Sequence, residues 1–207
     1  MRELMYPKPS GTALITNLFH TLQGTWSLDR KLQSADPSAP SGRCSGKATF
    51  TPTQPSPIVD SDGKLQLADS ELLYHEQGDF EMAAAAPGQP APLKLPFSRK
   101  YIWRLKQADE ALTISVWFTK PGTDTIDYLF HQIDIPFAQD DVEGSHGEIV
   151  LRGTGGHLCV ADFYSSSYSF SLTGQSPDSV ILSSWSTLHE VRGPKKDQII
   201  ETKFTKA

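Results

Sequence analysis

Leu22-Gln23-Gly24-Thr25-Trp26-Ser27-Leu28-Asp29-Arg30-Lys31 decides the fold, because the hydrophobic period of the chain changes inside it. On the N-terminal side, Leu14, Ile15, Leu18, Phe19 and Leu22 recur at three- and four-residue spacing. That rhythm predicts a helix over 12–23, stopped by Gly24. On the C-terminal side, Trp26, Leu28 and Arg30 alternate with Ser27, Asp29 and Lys31, the two-residue rhythm of a half-buried strand.

Outward from this junction the chain reads as strands and turns. Strands are expected over 25–33, 46–52, 72–82, 100–106, 112–118, 128–135, 157–164, 168–172, 180–191 and 198–204. Turn chemistry separates most of them: Pro121-Gly122, Gly155-Gly156, Ser176-Pro177-Asp178 and Gly193-Pro194. Residues 35–42, 53–63 and 83–96 read as loops, the last because Pro87, Pro90, Pro92 and Pro96 stop a helix or a central strand. Gly144-Ser145-His146-Gly147 and Gly153-Thr154-Gly155-Gly156 lack the strand–loop–helix setting of a phosphate cradle, and they too read as hairpin turns. Many short strands, one helix and no βαβ alternation predict a mainly β chain. The expected form is a single antiparallel up-and-down β-barrel of about eight to ten strands with a short N-terminal helix over one end. The expected division is a flexible arm over 1–13 and one domain over 14–207.

With 207 residues and 38% hydrophobic content the chain suits one sizeable domain, and no run approaches the roughly 18 apolar residues of a membrane helix. The N-terminus shows no apolar signal segment. A net charge of −5 and dispersed basic residues argue against nucleic acid as a partner. Two distant cysteines, Cys44 and Cys159, make neither a disulfide framework nor a zinc set and suit a reducing compartment. The expectations are a cytoplasmic protein with no membrane or nucleic-acid partner, no metal and no cofactor. Its oligomeric state is left open.

The strands carry more polarity than a purely structural barrel needs. Arg99, Tyr101 and Trp103 share one face, with Ile102 and Arg104 on the other. Leu129, His131 and Ile133 fall together, as do Ile181, Ser183, Trp185, Thr187 and His189. A charge turned inward costs several kcal/mol unless paired or wet, so these rows mean an internal polar network, a hydrated ligand cavity, or simply a solvent face. His157 and Asp162 are close enough in sequence for an acid–imidazole pair, suited to proton transfer or to structure. Tyr164-Ser165-Ser166-Ser167-Tyr168 offers hydroxyls, but no Gly-x-Ser-x-Gly elbow frames them. Lys195 and Lys196 sit where they could draw an anion to a barrel mouth.

Gly24-Thr25-Trp26, at the helix–strand junction, resembles the Gly-x-Trp signature of lipocalins and their calycin relatives. That resemblance implies a Trp closing the barrel base with a basic residue of the last strand across it, here Lys203 or Lys206. Further segments resemble the uncharacterised DUF6314 family: Leu22-Gln23-Gly24-Thr25-Trp26, Leu73-Tyr74-His75-Glu76-Gln77-Gly78, Arg99-Lys100-Tyr101-Ile102-Trp103-Arg104, Leu129-Phe130-His131, His157 through Tyr164, and Trp185 through Asp197. The match implies a small calycin-like barrel and brings no established activity. Its positions supply the site candidates. His157, Asp162, Glu76 and Tyr164 are the catalytic ones, and Arg30, Tyr74, Arg99, Tyr101, Trp103, His131 and Trp185 the ligand-binding ones. The nitrobindin-like barrels are a more distant likeness, implying haem on His189 or His157, but this chain lacks their glycine-rich first strand.

Three functions suit these residues. One is a barrel that binds a small, partly aromatic or anionic molecule, with Arg30, Arg99 or Arg104 meeting its acid group. The alternative is a cofactor-independent isomerase, cyclase or lyase using a barrel-interior acid–base group with Arg and Tyr stabilising charge. A third is an interaction protein with a plain apolar core. They rank in that order.

Overall fold

The change of period at Gly24 is where helix gives way to sheet. The computed structural model describes residues 11–59, 63–83, 93–108, 111–136, 148–174 and 180–207. Helix α1 (Gly11–Thr21) starts three residues before the domain boundary read at 14, while 1–10 fall outside the described residues. It buries Leu14, Ile15, Leu18 and Phe19 on one face and leads into β1 (Gly24–Ser34). Gly24, at φ 103°, makes the corner that a side chain would resist.

Eleven further strands follow: β2 (Gly42–Thr53), β3 (Ile58–Val59), β4 (Leu65–Gln66), β5 (Ser70–Met82), β6 (Lys94–Ala108) and β7 (Ala111–Thr119), then β8 (Ile126–Ile133), β9 (Glu148–Cys159), β10 (Asp162–Thr173), β11 (Ile181–Arg192) and β12 (Asp197–Lys206). Ten of the twelve strands form one antiparallel sheet in the order β8-β7-β6-β5-β2-β1-β12-β11-β10-β9. Every neighbour is sequential in that sheet except β1 and β12, which pair from Trp26↔Lys206 to Ser34↔Gln198. The sheet curls into a nearly closed barrel. Among the described residues its seam is crossed by one bridge, between Asp134 and Thr154, with both amide–carbonyl bonds at 2.8 Å.

The seam corrects one reading of the sequence. Gly153-Thr154-Gly155-Gly156 is not a turn; it lies within β9. A Cβ on Gly155 would come within 2.6 Å of the His131 ring, and one on Gly153 within 2.7 Å of Ile133. The glycines are there because β8 crosses β9 too closely for side chains. The stretch 157–164, expected as one strand, instead contains the hairpin turn Val160-Ala161. Val160 has φ 59° and is 89% exposed. Loop 83–96 is also shorter than expected, since β6 begins at Lys94 and pairs Pro96 with Asp79. Ser176-Pro177-Asp178 and Gly144 through Gly147 lie outside the described residues.

Two bulges reset the faces. Val116 pairs with His131 but Trp117 with Leu129, so Phe130 and His131 both turn inward and the row Leu129–His131–Ile133 is broken. On β11 the register slips at Ser171/Leu172: Leu182 is buried and Ile181 exposed, so the inward row starts at Trp185 rather than at Ile181. Arg104 faces out of the barrel. It is buried there with Glu71 (Nε to Oε2, 3.3 Å) under the segment around Ser56, whose amide donates to Glu71 at 2.9 Å and whose carbonyl accepts from Arg104 at 2.7 Å.

Helix α1 stops one end. Leu14, Leu18, Phe19 and Leu22 are fully buried there, each contributing about 1.5–3 kcal/mol by leaving water. The Trp26 indole donates to the Leu22 carbonyl at 2.7 Å. Lys206 stands 4.0 Å above the Trp26 ring and donates to the Gln23 carbonyl at 3.0 Å. Of the two lysines considered for this position it is Lys206; Lys203 lies on the outer face, 3.9 Å from Glu201. Phe50, Trp103, Trp185 and Phe204 form the next layer, with Trp185 stacked on Phe204 at 3.6 Å. The hairpin connections 35–41, 120–125 and 193–196 lie at the opposite, open end.

Candidate functional site

Between the aromatic layer and the open end the barrel holds a cavity of about 430 Å³. Even-numbered residues of β1, β2 and β5 and odd-numbered residues of β6 face it, as period-two alternation requires once Trp26 is fixed inward. Eight of the eleven candidates read from the sequence line it: Arg30, Tyr74, Glu76, Arg99, Tyr101, Trp103, Tyr164 and Trp185.

The polar side of the wall is a network. Arg30 donates twice to Glu76, at 2.8 and 2.6 Å, and once to Thr202 Oγ1 at 2.9 Å. The Tyr74 hydroxyl donates to Glu76 Oε2 at 2.5 Å. Burial alone would raise the Glu76 pKa, but the hydrogen bonds and charge of Arg30, with the Tyr74 hydroxyl, outweigh it and hold the carboxylate below its usual range. Burial works against the Arg30 charge as well, and the same carboxylate more than offsets it. The pair is therefore ionised, bidentate and internally neutral.

Two other candidates sit behind the wall. His131 Nε2 and the Tyr168 hydroxyl are 2.6 Å apart, with Tyr168 lining the cavity and His131 beneath it. Burial, and then the neighbouring His189 and His157, push His131 down to about 3, so its ring is neutral. His157 turns inward near the open end but packs against Phe118, Phe130 and Tyr164 rather than lining the cavity. Asp162 is the clear departure. Its carboxylate accepts from the Lys195 amide at 3.1 Å in the β11–β12 turn, and its atoms fill the space where a Gly193 Cβ would stand. The expected Asp162–His157 pair does not form, because Val160-Ala161 turns the chain between them; His157 pairs in register with Tyr164 instead.

Several lining residues stood outside the eleven candidates, although the sequence reading had put Thr187 and His189 in one row with Trp185. Thr187 and His189 on β11, Phe97 on β6, Phe130 on β8 and Cys44 on β2 all face the cavity. His189 Nδ1 lies 2.7 Å from Ser166 Oγ, and burial, with the Arg30 charge, lowers it to about 4. The signal for Cys44 was available in principle, since it is the cross-strand partner of Arg30. Among the described residues no group of three His, Cys, Asp or Glu side chains is placed to hold a metal ion. Both cysteines are free, Cys44 buried and Cys159 exposed.

The family model described as a family of unknown function (DUF6314) matches residues 22–206. The chain belongs to that family. The matched span contains every residue of the cavity wall. No curated protein matches this DUF6314 chain. Among solved structures, it aligns with a protein provisionally assigned to the outer membrane of Bacteroides fragilis at 10% identity, over 92% of this chain and 100% of the other. The TM-score is 0.14, too low to carry any argument about fold or role.

Proposed function

We propose that this protein binds one small, largely aromatic organic molecule inside the barrel, and that the polar wall positions the molecule rather than transforming it. The observation that carries the reading is the cavity itself: about 430 Å³, stopped at one end by α1 and the aromatic layer, and open at the other. Sites for small organic molecules span roughly 300–1,000 Å³ and are mostly apolar with a few placed polar groups. Tyr101, Trp103, Phe130 and Trp185 supply flat apolar surface, and the Arg30–Glu76–Tyr74–Thr202 network supplies a polar belt.

The same network weighs against proton transfer. A general acid or base must reach the substrate with a free proton or lone pair. Glu76 has both oxygens engaged, Asp162 holds a turn, and His131 lies behind Tyr168. His189 reaches the cavity as a neutral ring, but among the described residues no carboxylate lies within ion-pair distance to assist it. In this reading Glu76 and Tyr164 are wall residues.

The reading includes a cytoplasmic location with no membrane or nucleic-acid partner. Exposed Asp29, Lys31, Lys47, Glu201 and Lys203 on the outer faces of β1, β2 and β12 support a wall that meets water, where a lipid-embedded barrel would carry an apolar band. The free thiols and the charge of −5 support the rest.

Native mass spectrometry of freshly purified protein, with an absorption spectrum, tests the proposal. The expected result is a small-molecule mass increment that disappears on denaturation, or one gained from a panel of aromatic acids, amines and phenols. A bare mass that gains nothing from such a panel would contradict it.

A further inference from the structure

Resting on the reading of the cavity as a binding site, we infer that its ligand is a monoanion: a flat aromatic body lies inward and a single acid group meets Arg99 at the open end. The two guanidinium groups of the wall are not equivalent. Arg30, deeper in, is matched bidentately by Glu76 and has no charge left to offer. Arg99, on the open-end side of Tyr101, lies beside the Tyr101 hydroxyl. Its cross-strand neighbour Glu76 acts on its charge from a distance, but among the described residues no carboxylate comes within ion-pair distance of it.

A second cation stands at the same end. Lys196 donates to the Tyr164 hydroxyl at 2.9 Å and lies 5.6 Å from the centre of that ring, which lines the cavity. Strands β6 and β10 sit far apart in the circular strand order, so Arg99 and the Tyr164–Lys196 pair approach the mouth from different sides. Carboxylates stand at the same end, but Asp124 is paired with Lys100, Asp197 with Arg192, and Asp162 is held by the Lys195 amide. Arg99 and Lys196 are the cations that face the cavity side there, and they favour an anionic group with its acid outward.

The inner half selects against a second charge. Trp103, Trp185 and Phe204 close the bottom, and the adjacent Arg30–Glu76 pair is already matched. The buried Trp185 indole N–H has no hydrogen-bond partner among the described residues but is only a neutral donor, so an additional buried charge would find no opposite charge there. Rings on opposite walls favour a planar body over a branched one. One acid at the rim and one flat apolar body below it is the chemical class that meets all of these constraints.

Two probes with one aromatic body separate the acid's contribution from the cavity's: 1-anilinonaphthalene-8-sulfonate and uncharged N-phenyl-1-naphthylamine. Fluorescence titration of the full chain at low ionic strength is expected to show the sulfonate binding about fivefold or more tightly than the neutral probe, the upper range for a partly hydrated ion contact. Arg99→Gln is expected to remove that preference, weakening the sulfonate by about fivefold more than it changes the neutral probe. Lys47→Gln, on the outer face, is expected to change neither. Raising the salt concentration should weaken only the sulfonate. Equal affinities in the parent protein, or a preference that survives Arg99→Gln, would overturn the anion assignment and leave the cavity reading standing. Failure of both probes to bind would overturn the two together.

Discussion

Removing the Glu76 carboxylate would leave the Arg30 guanidinium unpaired inside the barrel, because Glu76 supplies its acid partner and Thr202 only a hydroxyl. Breaking a buried pair from one side costs about 3–5 kcal/mol, whereas replacing both members with apolar groups of similar volume is often nearly neutral. Glu76→Gln is therefore expected to destabilise by about 3 kcal/mol in urea unfolding, the low end because Arg30 keeps some exposure. The double variant Arg30→Met/Glu76→Leu is expected to recover most of the loss; a double variant no better than the single would show that the pair is not the cause. Acidification probes the histidines in the same way. His131 and His189 are held neutral in the fold, at about 3 and about 4, against 6.5 in the open chain. Their contribution is fully present above pH 6.5 and falls as the unfolded chain takes up protons below it. The thermal midpoint should thus drop as pH falls from 6.5 toward 4, and His131→Phe should flatten that slope even if its own midpoint at pH 7.5 is lower. An unchanged slope would contradict the assignment. Glu76, whose pKa is lowered, adds a further loss only below about 4.5.

At the scale of the element, alternation was legible and its interruptions were not. Trp26, Leu28 and Arg30 share one face of β1, and in the fold the same two-residue rhythm brings Tyr74, Glu76, Arg99, Tyr101 and Trp103, the positions supplied by the family likeness, to the cavity side. That this face is the inward one only the folded chain shows. The rhythm fails where a residue is inserted: Phe130 joins His131 on the inner face, and the slip near Ser183 turns Ile181 outward, neither of which any side chain announces. Turn chemistry misled in both directions. Gly153 and Gly155 are glycine for room beside β8, while the real turn is built from Val160-Ala161, which carry no turn preference. These two sites give opposite predictions. Gly155→Ala should part β8 from β9, lowering stability by about 1–3 kcal/mol and speeding hydrogen exchange along β8. Val160→Gly should raise the thermal midpoint, because a left-handed φ on a β-branched residue costs about 1 kcal/mol or more that glycine avoids. A stabilised Gly155→Ala, or a destabilised Val160→Gly, would overturn these assignments.

At the scale of the whole molecule the architecture reduces to a barrel whose first and last strands pair, stopped by α1 and lined by a polar belt above an aromatic floor. The helix and the barrel followed from the sequence, and the wall candidates came from the family likeness. Which strand faces turn inward, closure at the β8–β9 seam and the place of Asp162 depended on register, which only the folded chain fixes. The central claim is that a ligand lies inside, against this wall. Cys44 reports on that directly, since it lines the cavity beside Arg30, and exposed Cys159 outside it provides an internal reference. The measurement is the alkylation rate of each thiol by iodoacetamide at alkaline pH, because burial raises the Cys44 pKa. It is read by mass spectrometry with and without N-phenyl-1-naphthylamine at ten times its dissociation constant. Binding inside the barrel predicts Cys44 slowed about tenfold and Cys159 unchanged. Equal rates at Cys44 with and without the bound probe would contradict it.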